Sequence, residues 1–191
     1  MALSKRDHLV ETAMRLFCRD GFRATGVDRI LAEAGVAKMT LYNHFKSKDD
    51  LILEVLSQRD DGFRHWLAEE VAARAEAPRA RLIAVFDVLD AWFHHPGFRG
   101  CTFVNAAAEF GAADAPPHRA AAAHKHLVGA YLRDLAAAAG AADPARLAEE
   151  LMLLIEGAIS LAHVAGRKSA ARRAQAVARR LIDDALADAG A

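Results

Sequence analysis

Helical periodicity is the sequence feature that most constrains the fold of this chain. Apolar residues recur three and four positions apart in nearly every segment, and no segment shows the sustained alternation of a half-buried strand. In the first segment this stripe consists of Leu9, Val10, Ala13, Leu16 and Phe17. Gly21 follows the stripe as a natural helix terminator. The pattern predicts an all-α fold.

Turn and cap residues divide the helical pattern into about nine segments. Thr25 with Asp28 is a variant of the capping box, and Ser47 with Asp50 caps the fourth helix. Asp143 reads as an N-cap, since proline follows it at the first helical position. The first three predicted helices are about 4–20, 26–34 and 38–44. The fourth begins after Ser47 and extends at least to Val71, and the fifth begins at Pro78 and ends before Pro96. The last four are about 101–110, 118–139, from Pro144 to the residue before Gly166, and 169–187.

The charge of the whole chain is balanced, so any charge that binds a partner must be local. The 191 residues include 25 basic and 25 acidic side chains, and a hydrophobic content of 53% excludes a disordered chain. The N-terminus lacks the apolar core of a signal peptide. The most apolar run, residues 151–165, contains Glu156 and is shorter than the roughly 20 residues of a membrane span. We therefore expect a soluble, cytoplasmic protein.

The second and third segments have the layout of a helix-turn-helix. Two short helices are joined by a tight turn at Gly35, and the first helix buttresses them. The second helix of such a motif enters the major groove of DNA, where each base pair displays a distinct pattern of donors and acceptors. Leu41 and Phe45 define the buried side of this helix. The residues that helical spacing turns away from that side are Lys38, Met39, Tyr42 and Asn43.

The residue types in this region suit DNA recognition. Residues 1–48 carry nine basic and five acidic side chains, which leaves an excess of four positive charges in a neutral chain. The amide of Asn43 both donates and accepts, so it can read a base edge, and Met39 offers apolar contact to a thymine methyl. Lys48 stands at the start of the fourth helix, where its ammonium and the free backbone N–H groups favour a phosphate.

The order of residues in this region resembles the tetracycline-repressor (TetR/AcrR) family. The resemblance covers about residues 5–55 and rests on Leu16-Phe17, Gly21-Phe22, Thr25, Ile30, Ala34-Gly35-Val36, Thr40 to Phe45 and Ser47-Lys48. The residues that it places on the DNA backbone are Thr25, Thr40, Tyr42 and Lys48. Those that it places nearest the bases are Lys38, Met39, Asn43 and His44. Ala37 departs from the family pattern, because a serine or threonine that caps the helix is usual there.

The rest of the chain is compatible with a larger helical domain for ligand binding and dimerisation. We expect a DNA-binding domain of residues 1–47 and a second domain of residues 48–191. The eighth helix is apolar nearly all round, so one of its faces needs a partner. The resemblance implies a homodimer in which the last two helices of each subunit form a four-helix bundle. Its two recognition helices, about 34–36 Å apart, would read a near-palindromic double-stranded DNA operator.

Aromatic and polar side chains in the middle segments predict a site for a small hydrophobic effector. An apolar cavity with a few polar groups is typical of such sites, although each aromatic residue taken alone is also compatible with the core. The candidate lining residues are Trp66, Phe86, Trp92, Phe93, Phe103, Asn105, Glu109, His124, Tyr131 and Glu156. Asn105 and Glu109 are four positions apart and share one face of the sixth helix, so we expect both to line the pocket.

Metal sensing and catalysis are poorly supported. The histidine pairs 94–95 and 124/126 consist of residues that point in different directions on a helix, and no His, Cys and Glu set has metal-ligand spacing. No nucleophile, base and orienting group stand at recognisable spacing either. We expect no metal, no cofactor and no enzymatic activity. The sequence predicts a ligand-responsive transcriptional regulator that represses, as in the family. The alternative is a helical small-molecule-binding protein or enzyme that does not regulate transcription.

Overall fold

The structure is a computed structural model that describes residues 4–187. These residues form nine α-helices and no strand, so the all-α prediction is confirmed for this part of the chain. No helix within it is long and apolar enough to cross a membrane. The helices are α1 (Lys5–Asp20), α2 (Val27–Ala34), α3 (Lys38–His44), α4 (Lys48–Arg74), α5 (Pro78–His94), α6 (Thr102–Glu109), α7 (Pro116–Ala139), α8 (Pro144–Val164) and α9 (Ala170–Ala187).

The described residues divide into two compact units. The first comprises residues 4–62 and 101–124, and so contains α1–α3, the N-terminal part of α4, α6 and the start of α7. The second comprises residues 63–100 and 125–187. The first unit therefore includes more than the predicted segment 1–47, and an independent domain that ends at residue 47 stays a prediction.

The first unit is built around the packing of α1 against α2 and α3. Large apolar side chains from each of these helices are fully buried in its core, and burial of one such side chain stabilises a fold by about 1.5–3 kcal/mol. The largest in these helices are Leu9, Leu16, Phe17, Ile30 and Leu41, and Phe22 of the α1–α2 turn is buried with them. The single buried side chain within α3 is Leu41, so the position of α3 depends on it and on Phe45 just beyond the helix.

Two predicted helix caps are confirmed. The Oγ of Ser47 accepts a hydrogen bond from the Asp50 N–H at 3.1 Å, before the start of α4. The Oδ1 of Asp143 accepts one from the Arg146 N–H at 3.0 Å, before the start of α8. Both acceptors satisfy backbone donors that have no partner within the first turn of a helix.

The predicted capping box of Thr25 and Asp28 is wrong. The cap residue of α2 is Gly26, which has no side chain to accept a hydrogen bond. The hydroxyl of Thr25 instead donates to the carbonyl of Gly21 at 2.7 Å. It thus satisfies a backbone acceptor at the end of α1 rather than a donor at the start of α2.

The second unit is built from α5, α8 and α9, which pack against one another. Leu82, Phe86 and Phe93 of α5 and Leu151 of α8 are buried in its core. At the surface, Arg79 Nη2 of α5 lies 2.5 Å from an Asp183 carboxylate oxygen, and Arg172 Nε of α9 lies 3.2 Å from one of Asp90. Exposed ion pairs of this kind contribute about 0–1 kcal/mol, so apolar burial is the larger stabilising contribution here.

The turn between α2 and α3 requires the backbone freedom of Gly35. Its φ is 63° in the left-handed region, and a Cβ at this position would meet no atom within 4 Å. We predict that Gly35→Ala lowers the free energy of unfolding by about 1–2 kcal/mol, because only backbone strain changes. Urea denaturation of the two proteins measures this difference.

Gly62→Ala in α4 is the matched control, since its Cβ also enters open space but its backbone is helical. We expect it to raise the free energy of unfolding by about 0.5–1 kcal/mol. Equal effects of the two substitutions would contradict the assignment of strain to the Gly35 turn.

Candidate nucleic-acid interface and small-molecule site

The helix α3 has a buried side and an exposed side. Leu41 and Phe45 are buried beneath it, whereas Met39 is 69% exposed on the opposite side. The other predicted base-reading residues, Lys38, Asn43 and His44, are exposed as well, Tyr42 is exposed and Thr40 is half-buried. The structure therefore brings seven of the eight predicted DNA contacts, counting the partly buried Lys48, to a position where their side chains reach solvent.

Backbone hydrogen bonds close the turn before α3, and the side chain of His8 on α1 adds one, since its Nε2–H donates to the Ala34 carbonyl at 3.2 Å. The Val36 N–H donates to the Leu31 carbonyl at 3.1 Å, and the Gly35 N–H donates to the Ala32 carbonyl at 3.3 Å. Ala37 provides no side-chain cap to α3, as expected from its methyl group. A short, hydrogen-bonded connection of this kind restricts the angle between α2 and α3.

The eighth predicted contact, Thr25, is not at the surface. Its side chain is fully buried, and its hydroxyl is engaged by the Gly21 carbonyl. We therefore leave Thr25 out of the proposed interface, although the resemblance implied that its side chain contacts the DNA backbone. In the sequence, this hydrogen bond is signalled by the spacing of four residues between Gly21 and Thr25, because a Thr hydroxyl can donate to the carbonyl four residues earlier.

The side chain of Lys48 is partly exposed and also forms a hydrogen bond within the protein. Its Nζ donates to the Arg23 carbonyl at 3.3 Å across the turn between α1 and α2. Burial lowers the pKa of its ammonium below the ordinary value, while the carboxylates of Asp49 and Glu109 act in the opposite direction. The ammonium thus supports the α1–α2 turn at the same end of α4 where a phosphate contact was expected.

Glu109 is not placed as a pocket residue. Its Oε1 accepts a hydrogen bond from the Phe22 N–H at 2.9 Å, and its Oε2 accepts one from the Arg23 N–H at 2.7 Å. The expectation that it lines an effector pocket is corrected, because both carboxylate oxygens are engaged by the α1–α2 turn. Asn105, four positions earlier on α6, is half-buried.

Two other predicted ligand residues form a buried stack in the first unit. The rings of Phe103 and His124 are nearly parallel, with centroids 3.7 Å apart, and His124 is almost fully buried. The Nδ1–H of His124 donates to Asp60 Oδ1 at 2.6 Å. This carboxylate on α4 was missed by sequence reasoning, since it is 64 residues from the histidine and stands on a polar stretch of the helix.

The second unit contains an aromatic cluster, which includes three of the predicted ligand residues. Its members are Phe63, Trp66, Trp92, Phe93, Phe98 and His163. The ring centroids of Trp66 and Trp92 are 6.5 Å apart, and those of Trp92 and Phe98 are 5.0 Å apart. Both tryptophans are half-buried, whereas Phe93 is fully buried. Sequence reasoning missed Phe98, although it directly follows the Pro96-Gly97 turn that closes α5.

The remaining predicted ligand residues occupy separate places in the second unit. Phe86 is fully buried in the core. Tyr131 is half-buried, and burial raises the pKa of its phenol. Glu156 accepts a hydrogen bond from Lys125 Nζ at 2.5 Å, at a groove of about 570 Å³ between α7 and α8.

No group of three or more His, Cys, Asp and Glu side chains within residues 4–187 is arranged to hold a metal ion. The candidate sites that the described residues offer include the exposed side of α3, the aromatic cluster and the groove between α7 and α8.

Two family models match this chain in consecutive regions. Residues 9–55 match the model described as bacterial regulatory proteins, tetR family. Residues 78–178 match the model described as tetracyclin repressor-like, C-terminal domain, which alone covers more than half of the chain. The first match contains the whole of α2 and α3, and the second contains the whole of α5, α6, α7 and α8.

Solved structures of similar sequence extend the likeness over nearly the whole chain. A TetR-family transcriptional regulator from Streptomyces coelicolor is 33% identical with a TM-score of 0.88, and the match covers 95% of this chain and 96% of that one. A regulator from Streptomyces avermitilis is 31% identical with a TM-score of 0.83, over 96% and 98% of the two chains.

A curated relative matches over a shorter region. The HTH-type transcriptional repressor KstR2 of Mycolicibacterium smegmatis is 37% identical over 86 residues, which are 44% of this chain and 40% of that protein. The chain thus spans less than half of the length of this relative. The matches of both regions and the full-length similarity to solved regulators agree with the fold and with the resemblance of residues 5–55. The chain belongs to the tetR family of bacterial regulatory proteins.

Proposed function

We propose that this chain is a ligand-responsive, sequence-specific DNA-binding regulator that represses transcription from a near-palindromic operator. The observation that carries the proposal is the two-sided character of α3, whose buried side is fixed by Leu41 and Phe45 while Lys38, Met39 and Asn43 project outward. The family, one of regulatory proteins rather than enzymes, supports it. We propose that it acts in the cytoplasm, because the bacterial chromosome lies there.

The exposed side of α3 offers chemistry for both reading and holding DNA. The Asn43 amide matches the donor and acceptor pair of an adenine edge, and the thioether of Met39 suits a thymine methyl. Lys38 lies on the same exposed surface, and Lys46 stands between α3 and α4. Positive charge beside a reading helix increases affinity for any duplex, whereas the amide discriminates between bases.

We predict that Asn43→Ala blurs the preference at one or two operator positions, with a loss of discrimination of about 1–3 kcal/mol, because a base-edge contact is removed. Lys48→Ala is expected to weaken binding to operator and scrambled duplex alike and to reduce the salt slope by about one unit. Fluorescence anisotropy against a panel of operator variants at several salt concentrations measures both effects.

Wild-type protein provides the reference for that experiment. Equal affinity for the operator and for a scrambled duplex would favour the rival reading, a helical small-molecule-binding protein or enzyme that does not regulate transcription. Upstream DNA next to the coding sequence of this chain is the first source of candidate operators.

We further propose that the chain is a homodimer through α8 and α9. Three apolar side chains on α8 are exposed in the single chain, namely Leu153 at 75%, Leu161 at 49% and Val164 at 81%. Gly157 lies between them along the helix, and a Cβ there would meet no atom within 4 Å, which permits close approach of another helix. Val177 adds an exposed apolar side chain on α9. An apolar stripe of this extent favours a partner surface.

We predict that Leu161→Glu raises the dissociation constant of the dimer by at least about a hundredfold, since each dimer loses two buried leucines and buries two carboxylates. Sedimentation equilibrium measures the change. Val104→Glu on α6 is the matched control, because Val104 is exposed to nearly the same extent at 47% but lies outside α8 and α9. Dissociation of both variants, or of neither, would contradict this interface.

The aromatic cluster is our candidate for the effector site. Its half-buried rings offer flat apolar faces to a small hydrophobic molecule, and aromatic sites with few polar groups are typical of ligand pockets. An effector releases DNA only to the extent that it prefers the non-binding conformation, commonly by about 1–3 kcal/mol.

Trp66 and Trp92 are the only two tryptophans of the chain, so intrinsic fluorescence reports directly on this cluster. We predict that compounds which release the operator also change the tryptophan emission, and that Trp92→Leu weakens their binding about two- to tenfold through the loss of ring contacts. His126→Ala at the groove between α7 and α8 is the control. Weakened binding in this control alone would assign the effector to the groove.

A further inference from the structure

A carboxylate on α6 is bound by the turn that precedes the helix-turn-helix. The two oxygens of Glu109 accept hydrogen bonds from consecutive backbone N–H groups, Phe22 at 2.9 Å and Arg23 at 2.7 Å. Hydrogen bonds to an ionised acceptor are about twice as strong as those between neutral groups. Gly21 permits this approach, because its φ is 93° and a Cβ there would lie 3.1 Å from Glu109 Oε1.

The residue after Glu109 strengthens the same contact. The ring of Phe110 meets the ring of Phe22 edge to face, with centroids 6.3 Å apart. The guanidinium of Arg23 lies over Phe110, 5.1 Å from the ring centroid. At the other end of α6, the Oγ1 of Thr102 is 3.6 Å from the Sγ of Cys18 on α1. Both ends of α6 therefore contact α1 or the turn that follows it.

The opposite side of the turn is held by the start of α4. Lys48 Nζ donates to the carbonyl of Arg23, the residue whose N–H is bound by Glu109. The side chain of Phe22 is buried and stacks on Phe17 of α1, with ring centroids 5.1 Å apart. The backbone at Arg23 is thus fixed through its N–H by α6 and through its carbonyl by α4, immediately before α2.

We propose that Glu109 is a positioning residue for the DNA-binding helices, and this inference rests on the function proposed above. Its carboxylate holds the α1–α2 turn, the turn sets where α2 begins, and α2 packs against α3. The carboxylate bonds to the backbone of the turn, and it also acts electrostatically on the ammonium of Lys48. We call the two hydrogen bonds from the Phe22 and Arg23 N–H groups to Glu109 the latch. Loss of the latch frees the turn and therefore impairs operator binding.

The direction of the change in DNA affinity on replacing Glu109 distinguishes this positioning role from a purely electrostatic effect. Removal of a negative charge near a DNA-binding surface strengthens binding if charge alone matters. The latch has the opposite consequence, because Glu109→Gln exchanges one of two acceptor oxygens for an NH₂ group that cannot accept a hydrogen bond. Glu109→Asp retains the charge but is shorter by one methylene, so it cannot reach both N–H groups.

The experiment uses the full chain and measures two quantities in each variant. Residue-resolved amide exchange by NMR reports on the Phe22 and Arg23 N–H groups without DNA, and anisotropy reports on affinity for the operator and for a scrambled duplex. The variants are Glu109→Gln and Glu109→Asp. Asp114→Asn is the matched control, because this exposed carboxylate follows α6 in the same unit and its loss removes the same charge.

We expect both Glu109 variants to accelerate exchange at Phe22 and Arg23 about tenfold or more and to weaken operator binding about tenfold, with the salt slope unchanged. Asp114→Asn should leave amide exchange at Phe22 and Arg23 unchanged and should not weaken binding to either duplex. Melting temperatures monitor folding, and a loss of affinity in folded Glu109→Asp, whose charge is intact, supports the positioning role directly.

Unchanged exchange at both amides would overturn the latch, whatever the affinity for DNA. Faster exchange with unchanged operator affinity would overturn the positioning role, as would tighter operator binding by Glu109→Gln. Failure of the proposed function is distinguishable from either outcome, because wild-type protein would then bind operator and scrambled duplex equally.

Discussion

The burial of Leu41 and Phe45 beneath α3 is the interaction on which the proposed activity depends. A helix of seven residues is too short to be stable alone, so its position is determined by what its apolar side contacts. With Leu41 fully buried against the neighbouring helices, the residues on the other side of α3 are held outward at fixed spacing. The same packing that stabilises the first unit therefore presents the side chains that we expect to meet DNA.

The contacts around the α1–α2 turn show that the first unit is more than a three-helix module. Glu109, more than 80 residues further along the chain, binds the backbone that precedes α2, and the ring of Phe110 packs against the ring of Phe22. Lys48 meets the same backbone from α4. A change at the end of α6 or the start of α4 thus has a direct physical route to the turn, through hydrogen bonds to the main chain rather than through side-chain packing alone.

Local sequence rules predicted the parts of the structure that depend on local physics. The nine helices, the caps at Ser47 and Asp143 and the exposed side of α3 all follow from helical spacing and from residues within one turn. The rules failed where a polar group bonds to a distant or unexpected backbone. Spacing predicted that Asn105 and Glu109 share one face of α6, but it gave no information on what packs there. The hydroxyl of Thr25 donates to the carbonyl of Gly21, four residues earlier, instead of accepting from an N–H of α2.

The most direct test of the central claim is protection of guanine N7 in the operator from dimethyl sulfate, because this atom lies in the major groove. If the exposed side of α3 reads base edges from a symmetric dimer, protein binding protects guanines in two half-sites about one helical turn apart. Asn43→Ala should lose protection at the guanines next to the position it reads, while the other half of each site stays protected. Strong operator binding without any protection of N7 would contradict the account, since the reading surface would then lie elsewhere.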